Sequence, residues 1–502
     1  SVVNLDDLKV LMGGSVRQGE AKPILDMNIS SSIDDPYAFA KSINVKTESW
    51  PENLGAMRIG ADLKGTMDDL MTDASVNAFG ADFTVSGKLD ELKSGEALDN
   101  LKVRVQHPNL GKFLSNFGAS APEYSAISQP IDASAIVRME GKTIYLNDID
   151  AKMLGTTMVG TMRYDGGAGK PDASGDLKFG TLELKTTGGG ARSGGSSSSS
   201  SSGKWSDAPM SSAWLHAANA DFDVVADRLI YETWDVSKPS IKLSMSGGVL
   251  NVEDLKGGMF DGQIAMKSTV SSAAPKEPIA MSVDANISDV NIGALSQALS
   301  GTRKLQGDGQ VSLKMSVAGN GLSQKALVGS LNGNAKLDGT NVVLKGFDLA
   351  GLASALLESN KPLPRVQQLV GASSSGGQTA FDTVNGDYGI ANGIVNINNM
   401  EFDGPSANIS SKGGADLPRW YIDTTHTITL KNAPDVDPFD VVIKGPLNNP
   451  ANTFGKGLFD TYLNEKLGNK INELVGDKIG SDVSNVLQQF GVLPKAKQKA
   501  AP

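Results

Sequence analysis

The residues that could do chemistry in this chain are few and scattered. Three histidines occur in 502 residues, His107, His216 and His426, and none has a ligand-like neighbour in the sequence. There is no cysteine, which excludes thiol chemistry, disulfides and cysteine-based metal sites. We also find no convincing GxSxG, HExxH, DxDxDG or GxGxxG motif. The sequence therefore predicts no catalytic residue, no cofactor and no metal site, and a protein that is not an enzyme.

Two Asp-x-Asp pairs are the nearest approach to a metal site. Asp221 with Asp223, and Asp435 with Asp437, each place two carboxylates on one side of an extended segment. Carboxylate oxygens of this kind suit Ca²⁺. Alternate residues of a strand also share a side, so solvent-facing strand positions explain the same pattern. We favour this second interpretation.

The charge of the chain narrows the choice of partners. Its formal net charge is −10 and its pI is about 5.0, and it has no basic stripe. Nucleic acids and anionic membrane surfaces attract basic proteins, so we expect no nucleic-acid partner.

Alternation of apolar and polar residues dominates the sequence and predicts strands. It is clear in Ile241–Met245, Met281–Ile287 and Val311–Val317. Between Leu331 and Leu344 two such runs flank Asp338-Gly339, which predicts a hairpin with a tight turn there. The period then becomes helical from Leu349 to Leu357, with Asp348 as a candidate N-cap.

Weak internal repeats indicate how these strands are arranged. Ile144–Ile149, Val249–Leu255 and Ile394–Met400 are similar to one another, and Leu101–Leu114 is similar to Ile279–Leu299. Each unit has two or three strands, which cannot bury a face alone, so stacking predicts one extended sheet. The fold class is therefore mainly β: a long, twisted and curled antiparallel sheet forming a repeating β-groove, with a few short helices and a C-terminal helical segment.

Changes in composition suggest five regions. We predict a β-repeat groove region at 1–185, a Gly/Ser-rich flexible linker or loop at 186–210, a C-terminal β domain at 211–450, amphipathic helices at 451–493 and a basic disordered tail at 494–502. The C-terminal helical segment has two interpretations. It could plug the end of the sheet, or it could lie on a membrane or a partner.

The run Gly329–Leu352 carries a resemblance to a known family. Leu331-x-Gly-x-Ala335, Asp338-Gly339 and Gly346-x-Asp348-Leu349 follow one another in the order of the C-terminal signature of the AsmA family. Gly258–Gly262 upstream and Gly445–Pro450 downstream fall in the expected order, so the resemblance covers roughly Ala213 to Pro450. The region predicted at 211–450 is thus an AsmA-like C-terminal β domain.

The resemblance implies a location and a function. Family members usually begin with a transmembrane helix, and we see no such run here. We expect a periplasmic protein of a Gram-negative bacterium, anchored to the inner membrane through an N-terminal segment absent from this chain. Its relatives, the AsmA-like and TamB-like proteins, imply a β-groove that carries phospholipid between the inner and outer membranes and so supports outer-membrane assembly and integrity.

Phospholipid acyl chains and bacterial membranes are therefore the expected partners, with outer-membrane assembly proteins as further candidates. Two alternatives stay open: a periplasmic regulator of outer-membrane protein assembly, and a structural or adhesive β-solenoid. The residues predicted to line a lipid groove are apolar and lie at alternate positions: Leu243, Met245, Met281, Val283, Val311, Leu313, Met315, Leu331, Ala335 and Leu337. A register error of one residue would invert this set.

Overall fold

A computed structural model gives the fold of most of the chain. It describes residues 2–5, 8–19, 22–42, 55–66, 69–89, 100–115, 125–167, 169–184, 204–300, 306–357, 376–448 and 450–454. The structure is mainly β with short helices, which confirms the predicted fold class. The predicted helices at 451–493 and the tail at 494–502 lie almost entirely outside the described residues, as does most of the Gly/Ser-rich stretch. The predicted domain limits stay predictions.

The elements follow one another along the chain with few helices between strands. The strands are β1 Val2–Leu5, β2 Leu8–Gln18, β3 Pro23–Ile33, β4 Met57–Thr66, β5 Asp69–Ala78, β6 Ala81–Leu89, β7 Leu101–His107, β8 Ile131–Glu140, β9 Thr143–Met153, β10 Thr156–Asp165, β11 Asp172–Leu184, β12 Asn219–Tyr231, β13 Trp234–Ser246, β14 Val249–Met259, β15 Gly262–Ser271, β16 Ile279–Asn291, β17 Gln306–Gly321, β18 Asn332–Lys345, β19 Gln378–Ala391, β20 Ile394–Asp403, β21 Ala407–Asp416, β22 Tyr421–Leu430, β23 Phe439–Pro446 and β24 Ala451–Phe454. The α-helices are α1 Pro36–Ser42, α2 Leu110–Ser115, α3 Ile292–Ser300, α4 Gln324–Gly329 and α5 Leu349–Leu357, and 3-10 turns occur at Ser125–Ser128 and Ala213–His216.

The chain divides into two compact units. Unit 1 comprises Ser1–Ser201 and Pro209–Ala285, and unit 2 comprises Ser202–Ala208 and Asn286–Pro502. In unit 1, β1 to β15 pair in chain order, antiparallel at every step except β11 with β12, which is parallel. A parallel pair needs a longer connection than a hairpin turn, and residues 185–218 separate β11 from β12 in the chain. In unit 2, β17 to β24 pair in chain order and antiparallel throughout.

The sheet of unit 1 curls. The 3-10 turn Ser125–Ser128 directly precedes β8, yet it also packs against β11, three strands further along. Ala126 in this turn and Phe179 on β11 are both buried. A flat sheet would keep these segments well apart, because neighbouring strands are spaced about 4.8 Å apart. The right-handed twist of successive strands, accentuated by bulges, allows the curl.

Tight turns join many of the strands. Several hairpins have positive φ at both central residues, as a type I′ turn requires. The pairs are Phe79-Gly80, Leu154-Gly155, Gly247-Gly248, Phe260-Asp261 and Asn392-Gly393. Such turns match the strand twist, so consecutive strands can pair without longer loops.

All five described α-helices begin with a side-chain cap: Ser323 caps α4, where its hydroxyl accepts from the N–H of Ala326 at 3.2 Å, and Asp or Asn caps the other four. The side-chain oxygens of Asp35, Asn109, Asn291 and Asp348 each accept a hydrogen bond from the backbone N–H three residues later, at 3.0, 2.8, 3.1 and 2.8 Å. These bonds satisfy amides that the first helical turn leaves without a carbonyl partner. The predicted helix Leu349–Leu357 and its cap at Asp348 are confirmed. The same motif also starts α1, α2 and α3.

The four helices capped by Asp or Asn lie at one end of the strands in each unit, whereas α4, capped by Ser323, follows the opposite end of β17 in unit 2. In unit 1, β3 and β7 run in the same direction, so α1 and α2 follow strand ends at the same edge. In unit 2, α3 precedes β17 and α5 follows β18, and Gln306 at the start of β17 pairs with Lys345 at the end of β18. We call this the capped edge of each unit.

The predicted hairpin between Leu331 and Leu344 is wrong. Asn332–Lys345 is one continuous strand, β18, which passes through Asp338-Gly339 without a turn. A Cβ on Gly339 would lie 3.1 Å from side-chain atoms of Val311 and Val342 and 3.2 Å from Cβ of Val384. Glycine at this position therefore permits close packing of three valines, which the sequence does not distinguish from turn chemistry.

We expect Asp348→Ala to weaken α5 by about 1 kcal/mol, the usual cost of losing an N-cap. Hydrogen exchange followed by mass spectrometry should show faster exchange in the peptide spanning Leu349–Leu357. Asp338→Ala is the matched control, because its carboxylate faces Lys336 across 3.6 Å on an exposed surface. Equal exchange in both variants would show that the cap does not hold this helix.

Candidate functional site

Each sheet has one apolar face and one polar face. Residues directly opposite one another on paired strands share a face, so rows of opposed residues show its character. In unit 1 one row crosses β2 to β12 and is apolar at every position but one: Val10, Ser31, Ile59, Val76, Phe83, Val105, Ala133, Ala151, Met158, Phe179 and Ala226. The adjacent row is polar: Lys9, Ser32, Arg58, Asn77, Asp82, Gln106, Asp132, Lys152 and Thr157.

Unit 2 has the same division. An apolar row crosses β17 to β23: Val311, Gly339, Val384, Phe402, Ile409, Ile428 and Phe439. The next row over is polar: Ser312, Asp338, Asn385, Glu401, Ser410, Thr427 and Asp440. The apolar face is thus a property of the strand pairing and extends across many strands in each unit.

Ion pairs and hydrogen bonds cover the polar face. Arg104 donates to both carboxylate oxygens of Asp132, at 2.7 and 2.6 Å, and this contact lowers the pKa of Asp132. Lys242 lies 3.5 Å from Asp223, and Lys444 pairs with Asp423. These charges are half-exposed and remain hydrated, so each pair contributes little to stability. Their effect is to keep this face wet.

Short helices bury the apolar face of unit 2 near its capped edge. Val311, Val342, Phe381 and Val384 have at most 2% of their surface exposed, and Leu349 and Leu352 of α5 are equally buried. Thr379 holds α5 to β19, because its hydroxyl donates to the carbonyl of Phe347 and accepts from the N–H of Leu349. This part of the face is an ordinary packed core.

Farther from the capped edge the apolar face of unit 2 is only half covered. We call this region the unit 2 stripe, and its side chains are half-buried. It comprises Leu313, Met315, Val317, Ala335, Leu337, Tyr388, Ile390, Val395, Ile397 and Met400. Burial raises the pKa of the Tyr388 hydroxyl to about 12, and that hydroxyl contacts the sulfur of Met400 at 2.7 Å. Even the polar end of this tyrosine is therefore turned toward apolar neighbours.

Unit 1 has a corresponding unit 1 stripe. Its residues face one another across β9 to β15: Ile144, Leu146, Met162, Tyr164, Ala173, Ala220, Phe222, Leu243, Met245, Leu250, Val252 and Val270. They are half-buried, apart from Tyr164, which is exposed. Ile149 and Ala151, nearer the capped edge, are buried. Unit 1 thus has the same pattern, with a packed margin and a half-covered stripe.

The structure places the predicted lining residues in three settings. Leu243 and Met245 lie in the unit 1 stripe, and Leu313, Met315, Ala335 and Leu337 lie in the unit 2 stripe. Met281 and Val283 are half-buried at alternate positions of β16, and Leu331 is half-buried just before β18. Val311 is 1% exposed and belongs to the packed margin. Contact with lipid stays a prediction for the whole set.

Sequence reasoning missed several members of the stripes. Ile397 and Met400 share a face although they are three residues apart, because the pairing of β19 with β20 shifts between Asp387 and Tyr388. A strict period of two assigns them to opposite faces. Phe222 lies between Asp221 and Asp223, and the sequence pattern of these two carboxylates marks only the polar side of the strand.

The possible chemical groups do not assemble into a reactive centre. Asp221 and Asp223 are exposed on the polar face, and Asp435 and Asp437 are exposed between β22 and β23. Within the described ranges, no three His, Asp or Glu side chains converge as a metal site would require. His107 is buried and accepts from the N–H of Asn109, and His216 ends a 3-10 turn.

His426 is a polar residue on the apolar face of unit 2. Its Nδ1 lies 2.7 Å from the hydroxyl of Ser411, and its Nε2 lies 3.0 Å from the hydroxyl of Thr424. Neutral imidazole donates at one nitrogen and accepts at the other, and the two hydroxyls can satisfy either tautomer. Burial lowers the pKa of His426, so the neutral form predominates at neutral pH.

The AsmA family model matches residues 190–400. The chain is similar to AsmA family proteins over these residues. This AsmA region includes β12 to β19 and most of β20, with Leu243, Met245 and the signature residues Asp348-Leu349. The resemblance inferred from the sequence is confirmed here, and the family is one of envelope proteins and is not a known enzyme family. No curated protein matches the chain.

Among the helices that the structure describes, none is both long and apolar enough to cross a bilayer.

Titration of His426 should reveal the burial of the apolar face. We expect an imidazole pKa below the ordinary value of about 6.5. The folded state then takes up the proton at lower pH than the unfolded state, so the stability of unit 2 falls as pH is lowered below about 6.5. NMR of the labelled imidazole checks the pKa, and hydrogen exchange against pH checks the stability.

His426→Gln is the control, because its amide can still donate and accept while it does not titrate. The variant should lose this part of the pH dependence. A pKa at or above 6.5, or the same pH dependence in the variant, would contradict the assignment.

Proposed function

We propose that this protein is a non-enzymatic component of the bacterial cell envelope, whose apolar stripes carry phospholipid acyl chains between the inner and outer membranes. The observation that supports this most directly is the pair of half-covered apolar stripes on β9 to β15 and β17 to β20. The match to the AsmA family also supports the proposal, because this is a family of envelope proteins. The proposal includes a periplasmic location for the protein and its anchoring to the inner membrane.

The physical argument concerns the transfer of acyl chains out of a bilayer. Each CH₂ group that leaves the bilayer for water costs about 0.8 kcal/mol, so a free chain in water is strongly disfavoured. A strip of half-buried Leu, Met, Ile and Val side chains offers a chain an apolar surface along its length. The charged headgroup can remain in water at the margin. Transfer along such a surface needs no chemical step by the protein.

Half-burial distinguishes the stripes from the packed core. Val311 and Val384 are almost fully covered by protein, whereas Leu313 and Leu337 in the neighbouring row are not. Exposed apolar surface of this extent is unfavourable in water unless something covers it. A long, thin acyl chain can cover such a strip, whereas a compact protein partner would fit it less well.

Site-specific photocrosslinking tests the proposal. Benzoylphenylalanine at Leu313 should form adducts with phospholipid, whereas the same probe at Lys314 should not, because adjacent residues of β17 face opposite sides. Leu243 and Lys242 are the equivalent pair on β13. Mass spectrometry of the crosslinked chain identifies the adducts.

Three outcomes would reject the lipid assignment. Equal adducts at Leu313 and Lys314 would indicate non-specific contact with lipid. Adducts of Leu313 with proteins alone would favour the alternative, a regulator of outer-membrane protein assembly. A stripe that yields neither lipid nor protein adducts would favour a structural or adhesive β-solenoid.

A further inference from the structure

Opposite the capped edge of unit 2, a short segment of chain is held against the ends of the strands. Residues 204–208, here called the strap, lie near the end of the stretch predicted as a Gly/Ser-rich linker at 186–210. The indole Nε1 of Trp205 donates to the carbonyl of Leu417 at 2.7 Å. Lys325 on α4 bonds to the strap twice, by its backbone N–H to the carbonyl of Ser206 and by its ammonium to Asp207. The strap is therefore anchored at several points.

Two tryptophans form a corner at this position. The rings of Trp205 and Trp420 are 5.7 Å apart with an angle of 84° between their planes, so the edge of one meets the face of the other. Trp420 has positive φ, and its backbone N–H donates to the carbonyl of Leu417. We call this pair the aromatic corner. The turn that carries Trp420 fixes one wall, and the bond to Leu417 fixes the other.

A primary ammonium already occupies the aromatic corner. The Lys204 Nζ lies 3.6 Å from the centroid of the Trp420 ring and 5.5 Å from that of Trp205. Burial lowers the pKa of Lys204, and among the described residues no carboxylate pairs with it. The faces of the indole rings supply the attraction that an ion pair would otherwise supply. The anchors of the strap involve Trp205, Ser206 and Asp207, so Lys204 can leave the corner while the strap stays in place.

The aromatic corner adjoins the end of the unit 2 stripe. The N–H of Gly393 donates to the carbonyl of Leu331, the N–H of Leu417 donates to the carbonyl of Gly393, and Leu417 in turn accepts from Trp205. These bonds connect the corner to Gly393, which lies in the turn between the stripe residues Ile390 and Val395. Arg419, the neighbour of Trp420, has a side chain that is 84% exposed, and its Nε lies 3.5 Å from a carboxylate oxygen of Asp416. A cation site and an exposed guanidinium thus lie side by side next to an apolar strip.

We propose that the aromatic corner binds the primary ammonium of an ethanolamine phospholipid, and that Lys204 occupies this site in its absence. This inference rests on the proposed function. The acyl chains lie on the unit 2 stripe, the ammonium replaces that of Lys204 between the rings, and Arg419 faces the phosphate. The lysine ammonium and the ethanolamine ammonium are the same chemical group on a methylene stem, so one site fits both.

The test compares two lipids that differ in the ammonium. Dihexanoylphosphatidylethanolamine and its N-acetyl derivative, below their critical micelle concentrations, are titrated into the full chain and into Lys204→Met. Removal of the competing ammonium should tighten binding of the ethanolamine lipid by about tenfold, the order of a cation–π contact in a partly desolvated site. Binding of the N-acetyl derivative should not change. Lys314→Met, on the polar face of β17, is the control and should behave as wild type.

Trp420→Phe in the Lys204→Met background provides the second variant. It keeps an aromatic wall with a weaker attraction for cations, and should reduce affinity for the ethanolamine lipid several-fold with the N-acetyl derivative unaffected. Equal affinities for the two lipids in every variant would overturn the ammonium site and leave the proposed function standing.

Free ethanolamine separates the remaining outcomes. If neither lipid binds any variant, the proposed function fails. In that case, free ethanolamine can still bind: if it quenches the tryptophan fluorescence of Lys204→Met, and quenches it less in the double variant, the ammonium site stands although the proposed function does not. Absence of that quenching as well would overturn both.

Discussion

Backbone pairing between neighbouring strands is the constraint on which the rest of this structure depends. Once the register is set, residues opposite one another share a face, and a shift by one residue would exchange the faces. In each unit the register brings rows of Val, Ile, Leu, Met and Ala together and places the Lys, Arg and Asp side chains on the other side. The apolar surface is therefore a product of many strands, and no single strand could form it. Because most strands pair antiparallel in chain order, short turns are enough to connect them.

The helices have a limited and repeated task in this arrangement. A helix capped by Asp or Asn follows β3, β7, β16 and β18, and in unit 2 the buried residues of α5 accompany the packed margin of the sheet. The family signature at Gly346-x-Asp348-Leu349 contains one of these caps, since Asp348 starts α5 and Leu349 is its first buried residue. The signature is thus explained by the way a sheet margin is closed. The half-covered stripe lies beyond that margin.

Much of the fold could be predicted because strand alternation is a local signal. The runs at Ile241–Met245 and Val311–Val317 lie within strands, and the switch to a helix at Leu349 was visible in the spacing of leucines. Features set by packing could not be predicted in the same way. Gly339 has the sequence of a turn residue, but its lack of a side chain serves contact among three valines inside a strand. The shift in pairing near Tyr388 likewise depends on the partner strand, so Met400 could not be placed from its own segment. Trp205 and Trp420 are far apart in sequence, and only the fold brings them together.

The central claim is that the half-covered stripes hold phospholipid. Native mass spectrometry of the chain, purified from a bacterial envelope without detergent exchange, tests it most directly. The account predicts protein ions with one or more added masses that collisional activation releases as intact phospholipids. A chain that is free of lipid under these conditions, and stays free after incubation with phospholipid vesicles, would contradict it.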